Sequence, residues 1–133
     1  MATNIILKPL TTNEEITSEI NSNVPLFDKL VRLGVTPALM GFRYVITAVN
    51  LIKKDYMYYM SGITKNLYPD IAIVWGSTPQ RVERAIRHLV EVLYTQGSGE
   101  SMGELDALFG NCYDRCTGKP TNSEFLAVLA SKF

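Results

Sequence analysis

Residues 80–88, QRVERAIRH, gather three arginines, a glutamine, a glutamate and the only histidine of the chain into one short run. Each of the first three side-chain types has a partner on a base-pair edge. An arginine fork meets guanine O6 and N7 together, a glutamine pairs with adenine, and a glutamate accepts from the cytosine amino group. That chemistry needs the side chains carried on one edge of a rod that enters a groove. With Val82 at the origin of a helical wheel, Ile86, Leu89 and Leu93 fall within about 40° of it, and Ala85 and Val92 within about 80°. Opposite this apolar stripe lie Gln80, Arg84, Arg87 and Glu91, flanked by Arg81, Glu83 and His88. The same spacing also suits an ordinary solvated face, because Glu83 and Arg87 stand four apart, as in an intrahelical ion pair.

Other chemistries find little support. His88 has no Cys or Asp at ligand spacing, and the C-x3-C pair of Cys112 and Cys116 has no second pair to complete a zinc site. These cysteines read as reduced thiols of a cytoplasmic protein. The acids Glu14 and Glu15, and Glu104 with Asp106, lack partners and read as solvated faces. Tyr44, Tyr56, Tyr58, Tyr59 and Tyr68 read as core and rim rather than a stacking platform. No glycine loop that cradles phosphate is present. The expectation is a protein without catalytic residues, metal or cofactor, and not an enzyme.

The chain of 133 residues is long enough for one domain, and at 47% hydrophobic and 20% charged residues it is too apolar for disorder. Thirteen basic residues balance thirteen acidic ones, so bulk charge selects no anionic partner. The balance is uneven, however: between residues 37 and 88 seven Lys and Arg face three acids. No run approaches the roughly 18 apolar residues of a membrane span, and Met1–Leu10 lacks the pattern of a signal peptide. A cytoplasmic protein without a membrane partner is expected.

Helical punctuation frames the candidate edge. Residues 1–12 read as an extended or loosely held arm, and residues 13–22 add a helical turn or two. Pro25 suits a first turn, and Leu26, Phe27, Leu30, Val31 and Leu33 recur at helical spacing until Gly34. Thr36 and Pro37 read as the cap and first turn of a helix running to about Lys54. Residues 61–76 form one or two helices around Pro69, stopped by Gly76. The next helix spans Pro79 to about Thr95, capped by Ser77 in a box with Gln80, or by Thr78 with Pro79 at the first helical position. A helix over Met102–Phe109 and a last one from Thr121 or Asn122 complete an all-α fold of about six helices. The segment Tyr68–Gly76 and the capped helix after it make a short helix, a tight glycine turn and a second helix. That is the layout of a helix-turn-helix, whose second helix presents its first residues to the major groove. Ser77 and Thr78, with the first N–H groups of that helix, suit a phosphate. The division read here is an arm and first helix over 1–34 and a helix-turn-helix domain over 35–133.

The strings GITKNLYPDIA (62–72), RVERAIRH (81–88) and KPTNSEF (119–125) resemble the C-terminal effector domain of the stage 0 sporulation protein A family of response regulators, over roughly Val35 to Phe133. The resemblance implies a six-helix domain with a helix-turn-helix and no wing, and sequence-specific DNA binding that regulates transcription. It implies base reading by Glu83 and Arg84, to which the chemistry above adds Gln80. Arg81, Arg87, His88, Ser77, Thr78 and Lys65 are the further residues expected to touch DNA. The implied partners are double-stranded DNA, the sigma subunit of RNA polymerase and a second copy of the chain in a homodimer on DNA. The chain departs from the family in three places. Too few residues precede the matching stretch for a receiver domain, so a natural short form is expected. Residues 71–76, IAIVWG, are apolar where the family tends to be basic, and the segment 100–114 is acidic. The alternative function is a protein-interaction module of the same fold that antagonises or modulates a full-length regulator.

Overall fold

A computed structural model describes residues 7–96, 99–110 and 118–133. Among the described residues there are eight α-helices, one π-turn and no strand: α1 (Asn13–Ile20), α2 (Val24–Arg32), α3 (Met40–Lys54), α4 (Tyr56–Met60), the π-turn Ile63–Leu67, α5 (Tyr68–Trp75), α6 (Pro79–Gln96), α7 (Gly99–Phe109) and α8 (Asn122–Lys132). The all-α expectation holds. The two helices beyond about six are short: α1, where the sequence reading places a helical turn or two, and the five-residue α4. Residues 1–6 and the loop with Cys112 and Cys116 lie outside the described residues.

Helix α3 is the central rod. Phe42, Val45, Ile46, Ala48, Val49 and Ile52 are fully buried, and α6, α8, α5 and α1 pack around them. Gly41 explains how closely α6 approaches: a Cβ there would run into the Ala85 carbonyl oxygen and the Leu89 side chain. From α2, Leu26, Leu30 and Leu33 enter the same core, as do Phe125, Leu126 and Leu129 from α8.

Four helix starts differ from the sequence reading or resolve it. Thr36 does not cap α3. Its hydroxyl accepts from the Ala38 N–H (3.3 Å) and its carbonyl from the Leu39 N–H (3.1 Å), closing a separate turn, and α3 begins at Met40. Thr78, not Ser77, caps α6. The Arg81 N–H donates to Thr78 Oγ1 (3.2 Å) and the Val82 N–H to the Thr78 carbonyl (3.0 Å), which puts Pro79 at the first helical position. Helix α7 starts at Gly99, earlier than Met102. At α8, Thr121 and Glu124 form a capping box.

Pro69 shapes the stretch before α5. Lacking an N–H, it cannot donate to the Lys65 carbonyl, so an α-helical ladder cannot run through it. The wider π-turn fills that stretch, and Gly62 O accepts from both Asn66 N (2.7 Å) and Leu67 N (3.2 Å). Of the extended or loosely held arm, residues 7–11 form no helix, yet they are tied down: Leu10 N donates to Val74 O (3.0 Å), and Leu7 packs half-buried against the core.

Candidate nucleic-acid interface

Helix α5 ends at Gly76, whose φ of 61° is left-handed, and the Ser77 N–H returns to the Ala72 carbonyl (2.9 Å). A Cβ would strain this conformation, so the glycine permits the tight corner into α6. Val82, Ile86, Leu89, Val90 and Leu93 hold α6 to the core, each at most 2% exposed. The stripe is turned slightly from the wheel: Val90 is buried, whereas Ala85 and Val92 are half-buried.

This phase leaves Gln80, Arg81, Arg84, Arg87 and His88 exposed, with Glu83 half-buried beside them. Arg87 Nη1 lies 3.4 Å from Glu83 Oε1, the pair that the spacing suggests. Arg81 and Arg84 make no ion pair among the described residues, and their guanidinium groups face solvent. Thr78 is exposed, with its Oγ1 occupied as the cap, and Ser77 is half-buried. Lys65 stands exposed on the π-turn.

A groove of about 280 Å³ runs along this edge, lined by Thr64, Tyr68, Pro79, Gln80, Glu83, Arg84 and Arg87. A second hollow, about 490 Å³, shares Thr64, Tyr68, Glu83 and Arg87 as walls and extends to Lys119, Asn122 and Ser123. Lys119 Nζ lies 3.9 Å from Glu91 there. Tyr68, nearly buried, lines both hollows. Burial pushes its phenol above its ordinary pKa and the Glu83 charge adds to this, while the Asn122 hydrogen bond and Arg87 oppose it.

The acidic segment does not seal the edge with Glu104. That carboxylate turns to α2, where Lys29 Nζ (2.8 Å) and Arg32 Nη2 (3.5 Å) meet it. The Lys29 hydrogen bond leads in holding its carboxyl below the ordinary range. No group of three His, Cys, Asp or Glu side chains suited to a metal occurs among the described residues.

Sequence reasoning missed two parts of this surface. Asn122 Nδ2 donates to Tyr68 Oη (3.1 Å) and to the Glu83 carbonyl (3.2 Å), tying α8 to α5 and α6. Only the string KPTNSEF marked that residue, and as a helix start. Arg43 on α3 stacks over the Trp75 ring at 5.1 Å from its centroid. Trp75 Nε1 is fixed by Thr47 Oγ1 (2.8 Å), whose hydroxyl donates to Glu19 Oε2 of α1 (2.7 Å). The tryptophan of IAIVWG is thus a half-buried link between α1, α3 and α5 beside the glycine corner.

No helix among the described residues is long and apolar enough to cross a membrane. A family model described as sporulation initiation factor Spo0A C terminal matches residues 26–133, starting within α2, ahead of Val35, and leaving α1 outside. Strings scattered over α5, α6 and α8, the glycine corner and the family match point the same way, and the chain belongs to the family of sporulation initiation factor Spo0A C-terminal domains.

Proposed function

We propose that this protein is a sequence-specific DNA-binding regulator of transcription of the sporulation type, with α6 as its reading helix. The family is one of DNA-binding effector domains. The observation that carries the reading for this chain is the exposed edge of α6, where Arg81, Arg84 and Arg87 project beside Gln80 and Glu83 while the opposite side is locked in the core. In this reading Arg84 meets guanine, Glu83 accepts from a cytosine amino group and Gln80 pairs with adenine. Arg81, Arg87, His88 and Lys65 meet phosphates or neighbouring edges, and Ser77 and Thr78 bring the helix start to the backbone. The duplex is the principal partner. A homodimer on paired half-sites, about one helical turn of DNA apart, and contact with the sigma subunit of RNA polymerase complete the reading. An interaction module that had given up DNA has no use for three unburied guanidinium groups on one edge.

Titration of the full chain onto duplex DNA across a salt series tests this. Each phosphate contact steepens the slope of log K against log salt by about 0.9, so a slope of several units is expected, reduced by about one in Arg81→Ala. A flat salt response, or no binding at low salt, overturns the reading in favour of the interaction module.

A further inference from the structure

We propose that Asn122 is a positioning residue that sets the pose of Glu83 in the groove, by holding the Glu83 backbone and the Tyr68 hydroxyl with one amide. The inference rests on the DNA-reading function proposed above. Its geometry is independent of that function. Asn122 Nδ2 has two hydrogens and two acceptors, Tyr68 Oη at 3.1 Å and the Glu83 carbonyl at 3.2 Å, so the amide has one orientation that satisfies both.

Helix α8 does not need this side chain for its own start. Thr121 caps it and Glu124 closes the capping box, leaving the Asn122 amide to bond outside its helix. Its partners belong to the two helices of the helix-turn-helix. Tyr68 is the first residue of α5 and is 4% exposed. Glu83 lies within the first turns of α6, and in an α-helix its carbonyl also accepts from the N–H four residues on, that of Arg87. The amide therefore grips the carbonyl of the Glu83–Arg84 peptide group, at the start of the turn whose ends, Glu83 and Arg87, pair through their side chains.

Hydrogen bonds to base edges tolerate only a few tenths of an ångström before they weaken. A carboxylate displaced by that much loses its base while the arginines, as long flexible cations, still find phosphates. Asn122 thus acts on sequence preference more than on affinity for DNA in general.

The test uses the full chain and the duplex that it enriches from a random pool, with single base-pair variants of that duplex and a random-sequence duplex as the non-specific probe. Asn122→Ala is expected to lose about five- to tenfold in preference at the base pair read by Glu83. Its affinity for random duplex stays within about twofold, because phosphate contacts carry that binding. In a Glu83→Ala background, adding Asn122→Ala changes the preference no further. Tyr68→Phe keeps the Glu83 bond and removes the other acceptor, so it gives a smaller loss at the same base pair. This second variant also decides the matter should Asn122→Ala fail to fold. A preference profile unchanged in the variants, or an equal loss on selected and random duplexes, overturns the proposal. A wild-type chain that enriches no sequence overturns the DNA-reading function itself, and that failure shows in the wild-type arm alone.

Discussion

Arg87 and Glu83 face each other across one turn of α6, guanidinium Nη1 to carboxylate Oε1 at 3.4 Å, on the edge that enters the proposed groove. The Arg87 side chain is exposed and that of Glu83 partly so, and the pair contributes little to folding, about 0–1 kcal/mol. Its importance lies in charge placement. It keeps a carboxylate among phosphates from standing alone.

Arg87→Ala therefore separates stability from binding. The melting temperature moves little, since the lost pair costs at most about 1 kcal/mol. Binding to duplexes of every sequence weakens, because a cation is gone and Glu83 is left uncompensated. Thermal melts and titrations onto random duplex read the two effects.

Arg84→Ala acts on sequence. Specific binding falls by about 1–3 kcal/mol and the preference relaxes at one base pair. Arg81→Ala, by contrast, weakens all duplexes alike. Footprints and competition with single base-pair variants distinguish them.

Ile86→Ala probes the phase of α6. Ile86 is fully buried between α6 and the core, and truncation costs about 2–5 kcal/mol. Denaturant unfolding that shows no loss places the helix in another rotation and removes the exposed arginine edge with it.

Gly41→Ala probes the approach of α3 to α6. The new Cβ meets the Ala85 backbone oxygen, which cannot swing away as a side-chain tip can. A loss of about 1–3 kcal/mol is expected in denaturant unfolding.

Glu104 gives a pH dependence. Its carboxyl is held below the ordinary 4.5, first by the Lys29 hydrogen bond. A group whose folded pKa is depressed stabilises the fold above its unfolded pKa and loses that contribution as pH falls through the folded value. Glu104→Gln is therefore less stable than wild type at pH 7, and the gap closes as the pH drops well below 4.5. Melts at neutral and acidic pH read the difference.

Much of the architecture was legible because it is local. The period of Val82, Ile86, Leu89 and Leu93 told which side of α6 is buried, and Gly76 with Pro79 marked the corner. Thr121 and Glu124 announced α8. Thr36-Pro37 misled because a threonine hydroxyl can close a turn as well as cap a helix, and nothing nearby in sequence says which. The π-turn follows from the missing N–H of Pro69, yet a kink or a fresh helix start would satisfy that proline equally. Asn122, Tyr68 and Glu83 meet only through the packing of α5, α6 and α8, as do Arg43 and Trp75 through α3 and α5. Such partners lie dozens of residues apart, beyond any spacing rule.

The most direct test of the reading helix is a selection of duplexes from a random pool by the full chain, repeated with Arg84→Ala. The account predicts one enriched sequence for the wild type and the same sequence, degenerate at a single base pair containing guanine, for the variant. A pool that stays random under the wild type, or an enriched sequence identical in both, contradicts it.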